Sequence, residues 1–347
     1  MTVKITKPEI NVREELNQLK KPTGIAGEAM LRAEAPQEQF NLIGAGRKNI
    51  FINGGFTVSQ RGDFTSATAT SAQTYGLDRW KNYLSGVNAT YQNTTVTIDG
   101  VTRKALKMAA TNSGTGYFGP VQHLELSAFR AGVFLTMSGY VRTNNPKVYL
   151  RHDYVGGVTG VQAPDPITAD GNWHYVTWTV DTTGTSTAPV FQVLAYDYGS
   201  ISVTSGDYIE IADMQLEVGK VATPFEHRSY GEELALCQRY YYLLASGASQ
   251  SLPTGSYYSS TLVAATVEFP VTMRSSPTMY NAAGTGYYGI YANSGLDLFN
   301  SFTSLGRSHP RGATLDSASV GASGVVGQSG PMTTNNANAY IAFDAEL

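Results

Sequence analysis

Short runs of alternating apolar and polar residues fill the chain from Asn49 to about Arg228. The clearest runs are TYQNTTVTI, GVFLTMSGYVRT, KVYLRHDYV, HYVTWTV, PVFQVLAY and DYIEIADMQLEV, with the turn-forming stretches NNP, DGN and TTGTST between them. An alternation of period two puts successive side chains on opposite faces of a strand, and short strands separated by turns are typical of a sandwich. The pattern therefore predicts an all-β sandwich over residues 47–228.

The last of these runs, DYIEIADMQLEV, changes parity part-way. Its apolar residues form two groups of opposite parity, Ile209 and Ile211 followed by Met214, Leu216 and Val218. One extra residue in a strand reverses the side on which the following side chains lie. We therefore predict a β-bulge near Ala212–Asp213, which would return all five apolar residues to one buried face.

The period changes in GEELALCQRYYYLL, which begins at Gly231. Leu234, Cys237 and Tyr241 recur at helical spacing, and two glutamates occupy the first turn, where the helix dipole favours anions. This segment predicts one short helix that ends in a strand-like YYYLL. Cys237 lies on the apolar stripe, so we interpret it as a small buried hydrophobic residue rather than a nucleophile.

The remainder of the chain again predicts strands, in TLVAATVEFPVTM, GYYGIYANS and ANAYIAFDAEL. The helix and these strands together predict a C-terminal β domain over residues 229–347. Between the last two strands, residues 311–338 are rich in Gly, Ser, Ala and Asn. Such a segment has too few apolar side chains for a core of its own, which favours burial against identical copies in an oligomer.

Residues 1–46 form a third region, which is charged and contains a single aromatic residue. Val12, Leu16 and Leu19 share one face of a short helix, with Asn11 as a plausible N-cap and Pro22 as its end. A helix of about ten residues is marginal alone in water. The segment is therefore either a frayed tail or an arm that becomes ordered on a partner.

The composition narrows the functional classes. Charged residues make up 15% of the 347-residue chain, which contains 36 Gly and 22 Tyr, against about 25% charged residues in an average protein. The net charge of −3 provides no basic field for nucleic acid. No apolar run is long enough to insert across a membrane, and the N-terminus lacks a signal-peptide core, so we expect the chain to start in a cytosol.

Few catalytic or cofactor motifs are present. The single cysteine excludes an intrachain disulfide and a multi-cysteine zinc site, and the HExxH and GxSxG patterns are absent. The segments GTGYFG from Gly114 and GTGYYG from Gly284 match a dinucleotide fingerprint in letters, but no predicted helix follows either of them. We therefore expect no cofactor. Asp213, at the predicted bulge, is a weak candidate for a structural calcium site.

Several aromatic and charged residues are candidates for glycan binding. The strand KVYLRHDY places Tyr149, Arg151 and Asp153 on one face, Tyr196 lies near the end of PVFQVLAYDY, and Trp80 is a further aromatic candidate. Aromatic rings pack on the faces of sugar rings, and charged groups hydrogen-bond to hydroxyls. A plain solvated sheet face would have the same pattern, so both interpretations remain open at this stage.

Four stretches resemble tail-fibre and other virion structural proteins of tailed bacteriophages, in particular phages of cyanobacteria and other aquatic bacteria. They are residues 4–62 (from KITKPEIN to TVSQRG), TYGLDRWK, MQLEVGKVATPFEHRSYGEELALCQRYYY, and VEFPVTMRSSPTM with the terminal YIAFDAEL. The middle unit also resembles carbohydrate-binding jelly rolls, which open with an NxxxNGxF-like strand, here Asn49–Phe56. They close with a strand like IEIADMQLEVG. Ala212 stands where that family often has a second acidic residue, which weakens the calcium assignment.

The resemblance implies a homotrimeric, elongated fibre without enzymatic activity. The arm of residues 1–46, with Val12, Leu16 and Leu19 as its anchor candidates, would attach to phage tail, adaptor or baseplate proteins. A jelly-roll β-sandwich would follow, and a C-terminal β-sandwich-like domain would contact a host-surface glycan or protein. The expected location is the virion, as a tail appendage assembled in the host cytoplasm.

Two other virion roles remain open. A collar or head decoration protein would share the β architecture without binding a receptor. A tailspike that depolymerises glycans would need two carboxylates across a sugar ring, and the sequence places no such pair.

Overall fold

A computed structural model describes residues 48–125, 132–155, 160–185, 187, 189–197, 199–292, 295–318 and 324–347. Within these ranges the protein is all-β, as predicted, with 22 strands and one short helix. The arm of residues 1–46, with Val12, Leu16 and Leu19, lies outside the described residues.

Two six-stranded antiparallel sheets form the first part of the chain. The first sheet has the order β1-β3-β4-β12-β6-β9. Its strands are β1 (Thr68–Thr70), β3 (Ala89–Ile98), β4 (Val101–Ala110), β12 (Tyr208–Val218), β6 (Phe134–Thr143) and β9 (His174–Asp181). The second has the order β11-β5-β10-β7-β8, and β2 also pairs with β5. Its strands are β2 (Lys81–Ser85), β5 (Gly114–His123), β7 (Val148–Asp153), β8 (Val161–Gln162), β10 (Val190–Ala195) and β11 (Ile201–Val203).

The last part of the chain follows the helix α1 (Tyr230–Gln238). A three-stranded sheet has the order β13-β22-β16, and a seven-stranded sheet has the order β18-β17-β21-β14-β15-β20-β19. The strands of the smaller sheet are β13 (Tyr241–Ser246), β16 (Thr278–Asn281) and β22 (Tyr340–Asp344). Those of the larger sheet are β14 (Ser251–Tyr257), β15 (Val263–Glu268), β17 (Tyr288–Ala292), β18 (Gly295–Phe299), β19 (Phe302–His309), β20 (Gly312–Ser317) and β21 (Ser329–Thr334).

Each part has its own hydrophobic core. The larger core lies between the two six-stranded sheets, with Met108 of β4 and Leu216 of β12 on one side and Phe118 of β5 and Phe191 of β10 on the other. This is the packing of a β-sandwich. The second core draws on residues between Ala245 and Ala345.

The predicted bulge in β12 is confirmed. The register of β12 against β6 shifts between Ala212 and Gln215, and Asp213 has a φ of 47°. As a result, the apolar residues on both sides of the shift reach the same core, namely Ile209, Ile211, Met214, Leu216 and Val218. The change of parity in the sequence is therefore a bulge and not the end of the strand.

The predicted opening strand Asn49–Phe56 is wrong, because the described structure has bends and a turn there. Two backbone hydrogen bonds still join the segment to β12, from the Ile50 amide to the Leu216 carbonyl at 2.7 Å and from the Met214 amide to the Gly54 carbonyl at 2.9 Å. The Asn49 side chain adds two more. Its Nδ2 donates to the carbonyl of Met214 at 3.1 Å, and its Oδ1 accepts from the Leu216 amide at 3.1 Å. The segment is thus held beside β12 by these backbone bonds together with one asparagine side chain, and it turns into the core at Phe51 and Phe56.

The predicted helix and following strand are confirmed as α1 and β13. Ser229 is the N-cap and forms a capping box with Glu232, a pair that satisfies two otherwise free backbone amides. Cys237 is fully buried, and burial raises the pKa of its thiol well above the ordinary value, as expected of a structural cysteine. Within the described ranges, no helix has the length and apolar content needed to cross a bilayer.

The described parts of the Gly- and Ser-rich segment 311–338 contribute more to the core than its composition predicts. Strands β20 and β21 both lie in this segment, and they bury Ala313, Leu315 and Met332 in the second core. The expectation that this segment cannot build a core within one chain is therefore wrong for these strands. Side chains alternate between the two faces of a strand, so a few inward-facing apolar residues are sufficient to pack β20 and β21 on the second core.

The two glycine-rich hexapeptides have structural roles. GTGYFG lies in β5, where a Cβ on Gly116 would come within 2.0 Å of the Ser85 carbonyl oxygen of β2. In GTGYYG, Gly286 has a φ of 64° in the turn that precedes β17. In both places glycine permits a backbone geometry that a side chain would prevent.

One histidine in the first core makes stability depend on pH. His152 stacks on Trp178 with ring centroids 5.0 Å apart, and its buried Nδ1 has no hydrogen-bond partner among the described residues. Burial lowers the pKa of His152 to about 4 from an ordinary value of 6.5. Above pH 6.5 both the folded and unfolded states hold this group neutral. Between pH 6.5 and 4 the unfolded state takes up the proton first, so folding stability falls as the pH falls.

The buried His152 should make the wild-type protein less stable at low pH. Between pH 7.5 and 4, proton uptake by this histidine in the unfolded state should lower the unfolding free energy by up to about 3 kcal/mol, at about 1.4 kcal/mol per pKa unit. In His152→Phe this contribution should disappear, so urea unfolding at the two pH values should show a smaller difference than in the wild type. His227→Gln is the control, since His227 is exposed. Equal pH dependence in His152→Phe and the wild type would contradict the assignment.

Candidate functional site

The outer face of the second sheet carries most of the predicted glycan-binding residues. In β7, Val148 and Leu150 point into the core, so Tyr149, Arg151 and Asp153 lie on the opposite face, as the alternation predicts. The neighbouring strand β10 pairs with β7 in a register that sets Gln192 beside Arg151. This face is formed by the three neighbouring strands β5, β10 and β7 of the second sheet.

Arg151 is the centre of a polar network on this face. Its Nη1 donates to Gln192 Oε1 at 3.2 Å and its Nη2 to Asp153 Oδ1 at 3.2 Å, while Gln192 donates to the other oxygen of Asp153. The guanidinium lies 4.3 Å from the ring centroid of Tyr196. Its buried Nε–H meets no acceptor in the described part of the chain. The network therefore holds the arginine rigid beneath a tyrosine ring.

A row of three tyrosines lies beside this network. Tyr83 of β2 stacks on Tyr117 of β5, with ring centroids 4.9 Å apart, and Tyr117 meets Tyr196 edge-on at 5.9 Å. All three side chains are half-buried. Burial, and then a hydrogen bond with Tyr117, raise the pKa of Tyr83 to about 12, so its hydroxyl stays protonated at neutral pH.

The structure separates the predicted candidates. Arg151, Asp153 and Tyr196 are brought together, whereas Tyr149 shares their face but is only 6% exposed and offers little surface. Trp80 as a glycan-binding candidate is wrong. Its side chain is 0% exposed, because it packs in the core between Phe51 and Phe56 and its indole N–H donates to a backbone carbonyl. A ring without accessible surface cannot stack on a sugar.

Sequence reasoning missed Tyr83, Tyr117 and Gln192. The alternation in PVFQVLAY could have placed Gln192 on the same face, since it differs in parity from the core residues Phe191 and Val193. The two tyrosines depend on β2 pairing with β5, which matches Tyr83 to Gly119. No local pattern in the sequence predicts which residues of β2 and β5 lie opposite each other.

Asp213 has a cation partner of its own in the structure. Arg103 Nε lies 2.7 Å from Asp213 Oδ2, and the same guanidinium lies over the ring of Tyr140. In the described ranges, no group of three or more His, Cys, Asp or Glu side chains is placed to hold a metal ion. The carboxylate of Asp213, the weak candidate for a calcium site, is therefore paired with an arginine at the bulge.

Other carboxylates of β12 are also occupied by the fold. Glu210 accepts from Arg142 at 2.7 Å and from Thr94 at 2.5 Å, and its side chain is buried. Glu217 is buried as well and accepts from the hydroxyl and the amide of Thr223. These carboxylates hold strands and loops in place and are not directed at solvent.

Comparisons with known proteins give distant structural similarities. No protein-family model matches the chain, and no curated protein matches it. A domain described as the enzymatically active domain of bacteriophage CBA120 tailspike protein 4 is 13% identical, with a TM-score of 0.32, over 49% of this chain and 21% of that one. The module TmCBM61, solved with beta-1,4-galactotriose, is 16% identical, with a TM-score of 0.28, over 50% of this chain and 100% of its own.

The CBM22-1 xylan-binding domain from Paenibacillus barcinonensis is also similar, with 14% identity and a TM-score of 0.28 over 46% of this chain and 99% of its own. At TM-scores below 0.5, none of these similarities carries an argument about function. The first unit is a β-sandwich because its two six-stranded sheets pack on one shared core.

Proposed function

We propose that the protein is a tail-fibre adhesin of a tailed phage and that it binds glycan on the outer face of its second sheet. The observation that carries the binding proposal is the row of Tyr83, Tyr117 and Tyr196 beside the Arg151–Asp153 network. The phage role rests on the sequence resemblance described above. In this proposal the protein binds without cleaving its ligand.

The chemistry of this face suits a sugar. Half-buried tyrosine rings offer apolar faces for the C–H face of a pyranose, and their hydroxyls donate hydrogen bonds. The carboxylate of Asp153 is partly exposed and is held by Arg151, so it can accept from sugar hydroxyls without reorganising. A site built from a few fixed polar groups and aromatic surface binds with modest affinity. Three copies in a homotrimeric fibre would increase the avidity.

The second prediction tests the tyrosine row. Tyr117→Ala should weaken binding of the purified protein to its host-cell glycan at least tenfold, because it removes the central ring that contacts both neighbours. Tyr175→Ala is the matched control, since Tyr175 is an exposed tyrosine of the first sheet. Binding is measured by titration calorimetry against polysaccharide released from host cells, and folding by circular dichroism.

The outcomes separate the alternative roles. If the protein is an adhesin, the purified wild-type protein should bind host cells and block infection when added in excess. The Tyr117→Ala variant should then do neither. Loss of binding in Tyr175→Ala with normal binding in Tyr117→Ala would place the site elsewhere. Absence of binding to host cells would favour a collar or head decoration protein. Release of reducing ends from the polysaccharide would show a depolymerising tailspike and would overturn the non-enzymatic proposal.

A further inference from the structure

An open groove crosses the outer face of the seven-stranded sheet, on strands β15, β20 and β19. It consists of two adjoining cavities of about 850 Å³ and about 470 Å³, which share Arg307 and Thr314. Each cavity falls within the range of about 300–1,000 Å³ that is typical of small-ligand sites. This groove lies in the second part of the chain, separate from the tyrosine row on the second sheet.

Strand alternation makes the floor of this groove polar. Val267 of β15 and Leu315 of β20 point into the second core, so their neighbours Thr266 and Thr314 point outwards and lie opposite each other in the ladder. The next outward residue of β20 is Asp316, which accepts from Ser304 at 2.9 Å. The floor is therefore lined with hydroxyls and a carboxylate.

A bulge brings arginine to the middle of the groove. The register between β19 and β20 shifts between Gly306 and His309, and Arg307 has a φ of 46°. A positive φ is uncommon for a residue with a long side chain, and bulges often redirect a side chain next to a binding site. Arg307 is exposed and lines both cavities.

Positive charge lies in the middle of the groove and around its larger cavity, and an aromatic ring lines its smaller cavity. His309 and Arg311 join Arg307 around the larger cavity, while Tyr258, 73% exposed, lines the smaller one. Neither arginine forms an ion pair within the described ranges. Elsewhere in the described structure, arginines such as Arg61 and Arg228 are paired with carboxylates. These two guanidinium groups are therefore available to an anionic ligand.

We propose that this groove binds an acidic oligosaccharide, with a uronic-acid carboxylate on Arg307 and Arg311 and a sugar ring against Tyr258. A guanidinium donates two parallel hydrogen bonds to a carboxylate. The outward threonines and Asp316 then bind the sugar hydroxyls between these two contacts. Glu268 also lines the larger cavity, so we expect a densely charged polyanion to fit there less well than a chain with widely spaced carboxylates.

The test uses the full chain and three pairs of ligands, each an acidic chain and the same chain with its carboxylates neutralised as methyl esters. Oligogalacturonate, oligoalginate and hyaluronan fragments are titrated by calorimetry, each beside its methyl-esterified form. We expect at least one acidic form to bind and its ester to bind at least tenfold more weakly. Arg307→Gln combined with Arg311→Gln should reduce binding of the acidic form at least tenfold, with unchanged circular dichroism, because both side chains are exposed.

Two variants make the result specific. Lys104→Gln removes an exposed cation from the first sheet and should leave binding unchanged. Tyr117→Ala should also leave it unchanged, so failure of this proposal is distinguishable from failure of the tyrosine-row site. Equal binding of an acid and its ester, binding that survives loss of both arginines, or equal binding of dextran sulfate would overturn the proposal, as would absence of binding to all three acidic series.

Discussion

Replacing Arg79 by methionine is expected to lower the free energy of unfolding by about 3–5 kcal/mol, the usual cost of breaking a buried ion pair. Arg79 is 1% exposed and pairs with Glu346, whose side chain is 4% exposed. Its guanidinium also lies 3.6 Å from the ring centroid of Tyr240 and donates to the carbonyl of His123. Without the arginine, a buried carboxylate loses its closest partner.

A second arginine extends this cluster. Arg61 contacts Glu346 at 3.1 Å and Asp344 at 3.3 Å, and its guanidinium lies 3.6 Å from the ring centroid of Tyr241. The two arginines precede β2 in the first part of the chain, whereas both carboxylates lie at or after the end of β22. The cluster therefore joins residues next to the two hydrophobic cores, and its loss should weaken the contact between them.

The measurement is urea unfolding of Arg79→Met, Glu346→Leu and the double variant. Glu346→Leu leaves the buried Arg79 without a carboxylate, and Arg79→Met leaves the buried Glu346 with Arg61 as its remaining arginine partner. The double variant replaces both charges by apolar groups. We therefore expect the double variant to recover a large part of the lost stability. The exposed pair Lys147–Asp197 is the control, and Lys147→Ala should cost less than about 1 kcal/mol. Additive losses in the double variant would show that the two charges do not act as a pair.

Sequence patterns predicted the features that depend on local periodicity. The parity change in β12 identified the bulge at Ala212–Asp213, because a buried strand face needs apolar side chains in register. The alternation in β7 likewise put Arg151 and Asp153 on the outer face of its sheet. In each case the relevant information lies within one strand.

Features that depend on pairing between distant segments were not predictable in this way. Arg79 and Glu346 are 267 positions apart, and Tyr83 reaches Tyr117 only through the pairing of β2 with β5. Trp80 lies in TYGLDRWK, where no periodic pattern shows which way its side chain points. Its burial follows from tertiary packing against Phe51 and Phe56, which the sequence does not display.

Replacing Gly54 by alanine should destabilise the sandwich by about 3–5 kcal/mol, near the upper end for a single substitution. A Cβ at this position would lie 2.1 Å from the Met214 carbonyl oxygen, and backbone atoms cannot move aside as a flexible side chain does. Relieving the overlap must displace Gly54 from β12. That movement breaks the bond from the Met214 amide to the Gly54 carbonyl, now 2.9 Å, at the bulge itself.

The adjacent glycine provides a matched control. A Cβ on Gly55 would meet the Phe225 ring at 3.5 Å, an ordinary van der Waals contact, so Gly55→Ala should change the unfolding free energy by less than about 1 kcal/mol. Thermal and urea unfolding of the two variants compare the same chemical change one residue apart. If both lose similar stability, the cost lies in the turn and not in the contact with β12. A large loss in Gly54→Ala alone would show that position 54 requires glycine because the backbone there lies so close to the bulged strand β12.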